Sequence, residues 1–136
     1  MLLSDRIFYL VIHCSDSQDD KNYNAKNIHD LHLKFGWDGI GYHKVICRSG
    51  LIENGRPEYW IGAHAQGFND KSLGVCLIGR NKFTENQFSS LKKVIQDWKI
   101  KYPKAEIVGH NQITKSNKTC PNFNVREWSK INGFKN

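Results

Sequence analysis

Residues 7–13 read IFYLVIH, six consecutive apolar or aromatic residues closed by a histidine. Such side chains favour extended backbone. An unbroken apolar run, with no polar alternation, is the mark of a strand covered on both faces. LGVCLIG (73–79) repeats the pattern, and AEIVGH (105–110) gives a shorter strand that ends on a second histidine. Helices fall between these strands. In NAKNIHDLHLKFG, Ile28, Leu31, His32 and Phe35 keep a helical period, and Gly36 supplies a stop. From Thr84 onward, Phe88, Leu91, Val94, Ile95, Trp98 and Tyr102 form an apolar stripe, with Thr84 and Gln87 as a capping box and Pro103 as the end. HKVICRSGLIENGR predicts a hairpin around Ser49-Gly50, and NVREWSKI a short final helix. Strands interleaved with helices in this order predict an α/β fold: a central mixed β-sheet flanked by helices.

With 136 residues and no repeat or linker-like tract, the chain is expected to form one domain spanning residues 1–136. A domain of this size buries enough surface to fold without disulfides or a structural metal. The first strand is too short for the apolar core of a secretory signal, and Asp5 and Arg6 precede it. The chain is therefore expected to be made in a cytoplasm without a signal peptide and not to insert into a membrane. In that setting Cys14, Cys47, Cys76 and Cys120 are expected to be reduced. A net charge of +7 implies attraction to polyanions, with nucleic acid, anionic lipid and anionic cell wall all open. No recognition-helix or RNA-binding signature accompanies the charge.

Chemistry concentrates at strand ends. His13 closes the first strand and His110 the last. In α/β sheets, sites form outside the carboxyl ends of strands, so parallel strands would bring both imidazoles to one edge. Cys120 follows ten residues after His110, in the polar stretch GHNQITKSNKTCPNF (109–123). Two imidazoles and a thiolate leave a tetrahedral zinc one open position, as catalytic sites do. From spacing alone, three readings of this stretch stay open: a surface loop, half of a disulfide, and part of a metal site.

The segments VIHCSDS (11–17), GWDGIGYHKVICRSGLIENGR (36–56), GAHAQGFNDKSLGVCLIG (62–79), the helix at 84–101 and GHNQITKSNKTCPNF occur in the order of a known family. Together they cover nearly the whole chain, and it resembles the zinc-dependent N-acetylmuramoyl-L-alanine amidases of the small phage-lysozyme type. These share a fold with the peptidoglycan recognition proteins. The resemblance implies one zinc ion held by His13, His110 and Cys120, with a water as fourth ligand. It implies catalytic roles for Tyr42, in GIGYH, and for Lys118, two residues before the cysteine. It places His64, in GAHAQG, in the substrate groove, as a contact or as support for the site. The implied reaction is hydrolysis of the amide between N-acetylmuramic acid and L-alanine in peptidoglycan, on the cell wall of the host, as a phage endolysin.

Some amidases of this fold carry a catalytic glutamate on the strand that here reads GVCLIG, so a base of that kind is not expected. Cys47 and Cys76 read as core thiols, Cys14 as pointing away from His13's side of the strand, and His29, His32 and His43 as structural. Asn69, Asp70 and Ser72 either order the groove or form turns. Two other functions are weighed against the amidase. A non-catalytic peptidoglycan-binding module of this fold tends to lose a zinc ligand, commonly the cysteine, which is present here. Some phage relatives also inhibit their phage RNA polymerase, a second role that this sequence leaves open. A monomer is expected.

Overall fold

The computed structural model describes residues 1–2, 4–114 and 119–134. Its strands are β1 (Tyr9–Cys14), β2 (Lys44–Ile46), β3 (Ile52–Asn54), β4 (Ser72–Leu77) and β5 (Glu106–Gly109). Its α-helices are α1 (Ala25–Lys34), α2 (Glu85–Lys101), α3 (His110–Ile113) and α4 (Val125–Ile131). The five strands form one sheet in the order β3-β2-β4-β1-β5. β1 runs parallel to both β4 and β5, β2 runs parallel to β4, and β3 turns back antiparallel to β2. The sheet is therefore mixed, as expected.

Side chains alternate across the sheet, and that alternation separates core from chemistry. Leu10 and Ile12 of β1 and Leu73, Val75 and Leu77 of β4 pack with Leu91, Val94, Ile95 and Trp98 of α2 and Val125 of α4. Each large side chain fully buried there contributes on the order of 2 kcal/mol. On α2 the capping box closes as expected: Thr84 Oγ1 accepts from the Gln87 N–H, and Gln87 Oε1 accepts from the Thr84 N–H, both at 3.0 Å. The other parity, His13 of β1 with Gly74 and Cys76 of β4, lies outside that core. A second, smaller apolar cluster joins Ile28 of α1 to Ile40, Val45 and Ile78.

Two local expectations need correction. Leu31 and Phe35 were placed on the buried stripe of α1, but they are exposed, and only Ile28 and His32 of that helix are buried. A ten-residue helix on the rim of the sheet needs only a narrow contact line. The last strand stops at Gly109, and His110 begins α3 instead of ending β5. The Gly109 N–H is met there by Gln112 Oε1 at 2.7 Å, which starts the turn of helix inside the polar stretch. Short 3-10 turns at Ser4–Arg6 and Asn69–Lys71 are additions to the sequence reading. Among the described residues, no helix is long and apolar enough to cross a membrane.

Candidate metal centre

The register of the sheet explains why two distant histidines meet. Ile12 of β1 pairs with Gly109 of β5, so the next residues, His13 and His110, emerge side by side at the carboxyl edge. Their ring centroids lie 4.5 Å apart. Cys120 lies against the start of α3: the Asn111 N–H donates to the Cys120 carbonyl at 2.9 Å. The Cys14 N–H donates to Cys120 Sγ at 3.0 Å. One ligand atom from each of His13, His110 and Cys120 lies within 4.8 Å of the others. The donor set, two borderline imidazoles and a soft thiolate, suits zinc better than a hard cation. His13 is buried and its pKa lies well below 6.5, first through burial, then through His64 and His110. It is thus neutral, with a lone pair to offer.

Tyr42 stands against this cluster, its ring centroid 5.0 Å from that of His13. Burial, followed by the nearby thiols of Cys76, Cys120 and Cys14, raises its pKa well above 10.0. The hydroxyl therefore keeps its proton and remains a hydrogen-bond donor. The segment before it is pinned from α1. The Ile40 N–H donates to His29 Nδ1 at 3.0 Å, and the Gly41 N–H to His32 Nδ1 at 2.9 Å. Both helix histidines are structural, as expected, but their task is specific: they hold the chain that delivers Tyr42. Spacing could not reveal this, because the acceptors lie 9 and 11 residues from their donors across a turn. His43 alternates away, as expected, and accepts the Gly74 N–H on Nδ1 at 3.1 Å.

His64 is half-buried and sits within the cluster, its Nδ1 2.9 Å from His13 Nε2. Asn69 fixes its backbone, since Asn69 Oδ1 accepts from both the His64 and Ala65 N–H groups at 2.9 Å. Its ring lies across Gly74, where an added Cβ would come within 2.6 Å of His64 Nδ1. Gly74 is thus a seat for the ring. Lys118 lies outside the described residues.

Two cysteine expectations change. Cys14 was expected to point away, yet its thiol lies near enough to that of Cys120 for each to shift the other's proton affinity. It also lies 3.8 Å from Asn122 Nδ2. The strand ends at Cys14, so its side chain is free to lean over the edge. The first proton leaves this pair more readily than it would an isolated thiol, because the neighbouring Cys120 side chain stabilises the thiolate. The second leaves far less readily, because the Cys14 side chain and burial both oppose it. Cys76 is buried as expected, but its thiol also lies near enough to the Tyr42 hydroxyl for each to shift the other's proton affinity. It faces the site from the strand position where a glutamate was considered. Cys47 is half-buried and donates to Glu53 at 3.2 Å, which with burial pushes its pKa up to about 12.

Comparison with known proteins gives a consistent result. A family model described as N-acetylmuramoyl-L-alanine amidase matches residues 3–123. The endolysin of Escherichia phage T7 is 35% identical over 133 residues, covering 92% of this chain and 85% of its own. The endolysin of Enterobacteria phage K11 is 35% identical over 127 residues, covering 88% of this chain and 83% of its own. Among solved structures, the N-acetylmuramoyl-L-alanine amidase LysC from Clostridium intestinale superposes with a TM-score of 0.83 at 28% identity, covering 99% of this chain and 91% of that one.

Proposed function

This chain belongs to the N-acetylmuramoyl-L-alanine amidase family, and we propose that it is a zinc hydrolase that cuts peptidoglycan at the amide between N-acetylmuramic acid and L-alanine, as a phage endolysin acting on the host cell wall. The observation that carries the metal is the convergence of His13, His110 and Cys120 at one sheet edge. Zinc at such a site supplies Lewis acidity towards water and towards a carbonyl oxygen. The protein's own groups supply the rest. His13 offers a neutral imidazole, His110 would bind through a second ring nitrogen, and Cys120 would bind through its sulfur. Tyr42, protonated and beside His13, donates a hydrogen bond to the oxygen that gains charge as the amide is attacked. Lys118 is assigned a second, charged donor on the same oxygen, from its place two residues before Cys120. The net charge of +7 favours encounter with an anionic wall.

A binding-only module is disfavoured by the complete ligand trio and by Tyr42 beside it. No observation on the described surface favours a polymerase partner. The test is product chemistry on purified peptidoglycan, with and without a chelator. The proposal expects new L-alanine amino groups, no new muramic-acid reducing ends, and loss of release on chelation. Reducing ends, or full release from metal-free protein, would refute it.

A further inference from the structure

His13 directs its Nε2 at another imidazole, that of His64, in the place where a metal-ligating histidine usually meets a carboxylate, a carbonyl or water. The protons along this contact can be followed from a fixed starting point. The Phe68 carbonyl can only accept, and Ser72 Oγ donates its one proton to it at 2.7 Å. Ser72 is fully buried, so no solvent competes for that proton. Its oxygen can then only accept from its other neighbour, His64 Nε2, at 3.4 Å. His64 therefore carries its proton on Nε2 and presents a lone pair on Nδ1. That lone pair faces His13 Nε2 at 2.9 Å, so His13 carries its own proton there. The Nδ1 of His13 is left with a lone pair for a metal.

We propose that Ser72 and His64 are positioning residues: a hydrogen-bond relay from the Phe68 carbonyl through Ser72 and His64 that fixes the tautomer and ring orientation of His13 for metal binding through Nδ1. The inference rests on the zinc reading of the cluster and deepens it. The surrounding backbone is built for the relay. Phe68 is held by its own N–H on the Ala65 carbonyl at 2.9 Å. Asn69 clamps the chain at His64, and Gly74 leaves room for the ring. Ser72 and Gly74 are two residues apart on β4 and so face the same side. The relay gives the Gly-rich loop 62–72 a definite task, to deliver one acceptor nitrogen to one ligand.

The relay is separable from a groove role for His64. Asparagine places its Oδ1 near where histidine has Nδ1, so His64→Asn keeps an acceptor and removes the ring, whereas His64→Phe keeps a ring and removes the acceptor. Zinc affinity is read by competition with a chelator of known affinity, and folding by thermal melting. Ring tautomers are read by nitrogen NMR on the metal-free protein. The parent is expected to show His13 and His64 both protonated on Nε2. His64→Phe is expected to lose about 10–100-fold in zinc affinity, as loss of an outer partner typically does. His64→Asn is expected to stay within a few-fold of the parent. Ser72→Ala is expected to let His64 populate both tautomers and to weaken zinc binding by a smaller factor. Amidase activity of His64→Phe is expected to return at saturating zinc with KM unchanged.

Unaltered zinc affinity in His64→Phe with a raised KM would overturn the relay in favour of substrate contact. A parent His13 protonated on Nδ1 would overturn it directly. Both results leave the amidase reading standing. That reading fails separately, on a parent that binds no zinc or releases no L-alanine amino groups.

Discussion

Gly74→Ala tests whether the site is held by backbone space as well as by ligands. An alanine Cβ at this fully buried strand position would lie 2.6, 2.7 and 2.8 Å from Nδ1, Cγ and Cε1 of His64. Ordinary carbon contacts sit at about 3.5–4.0 Å, so the ring must retreat by roughly 1 Å. Its bond to His13 Nε2 is 2.9 Å long, so a retreat of that size breaks it. β4 is tied on one side to β1 and on the other to β2, and cannot absorb the shift cheaply. Overpacking of this kind costs about 1–3 kcal/mol. For a domain of this length that is a fall in Tm of roughly 3–12 °C. Zinc affinity should fall about 10-fold as His13 loses its partner. Thermal melts of metal-free protein and chelator competition read the two effects separately. A Gly74→Ala variant with parental Tm and parental zinc affinity would refute the placement of His64 over β4.

Three further expectations follow from single residues. Tyr42→Phe removes one donor and no ligand, so bound zinc should stay at parental content while kcat falls by about 10²–10³; a parental kcat would remove Tyr42 from catalysis. Gln87 is fully buried, donates to the carbonyls of Ile46 and Ile78, and accepts from Arg48 and from the Thr84 N–H. Replacing it by Leu strands several of these groups and should cost about 3 kcal/mol in denaturant titration; a change under about 0.5 kcal/mol would contradict that network. His32 is held neutral, its pKa lowered from 6.5 by burial, then by Arg56 and His29. The unfolded chain then binds more protons below about pH 6.5, so the stability present above that pH is lost as pH falls through it. His32→Asn keeps an acceptor for Gly41 without the titration. Its acid limb should therefore be flatter than the parent's, and identical limbs would show that His32 does not contribute.

What the sequence disclosed and what it withheld divide along physical lines. The runs IFYLVIH and LGVCLIG announced buried strands because a doubly covered strand has no polar face, and they are β1 and β4 within a residue or two. The α2 helix was legible because its stripe and its Thr84–Gln87 box agree. The short α1 misled, since Leu31 and Phe35 keep the period of a core face while lying beyond the edge of what they could cover. The pair His13 and His110 was suggested by strand ends and the full trio with Cys120 by the resemblance, but the convergence depends on β1 and β5 being parallel neighbours, which spacing cannot supply. The lean of Cys14 towards Cys120, the Cys76–Tyr42 contact and the pins from His29 and His32 were hidden for the same reason. Each joins residues whose nearness is created by topology. Ser72 carried a weak signal, as one of three polar residues in the loop that feeds β4, and only its bond to His64 distinguishes it from a turn former.

The central claim is that His13, His110 and Cys120 together hold one zinc ion on which peptidoglycan hydrolysis depends. The most direct measurement is zinc X-ray absorption on the purified protein, with metal content determined in parallel for the parent and for Cys120→Ala. The expected result is about one zinc per chain, with nitrogen or oxygen neighbours at about 2.0–2.1 Å and a single sulfur at about 2.3 Å, and loss of both the sulfur shell and stoichiometric zinc in Cys120→Ala. A zinc site with no sulfur neighbour, or one unchanged in Cys120→Ala, would contradict it.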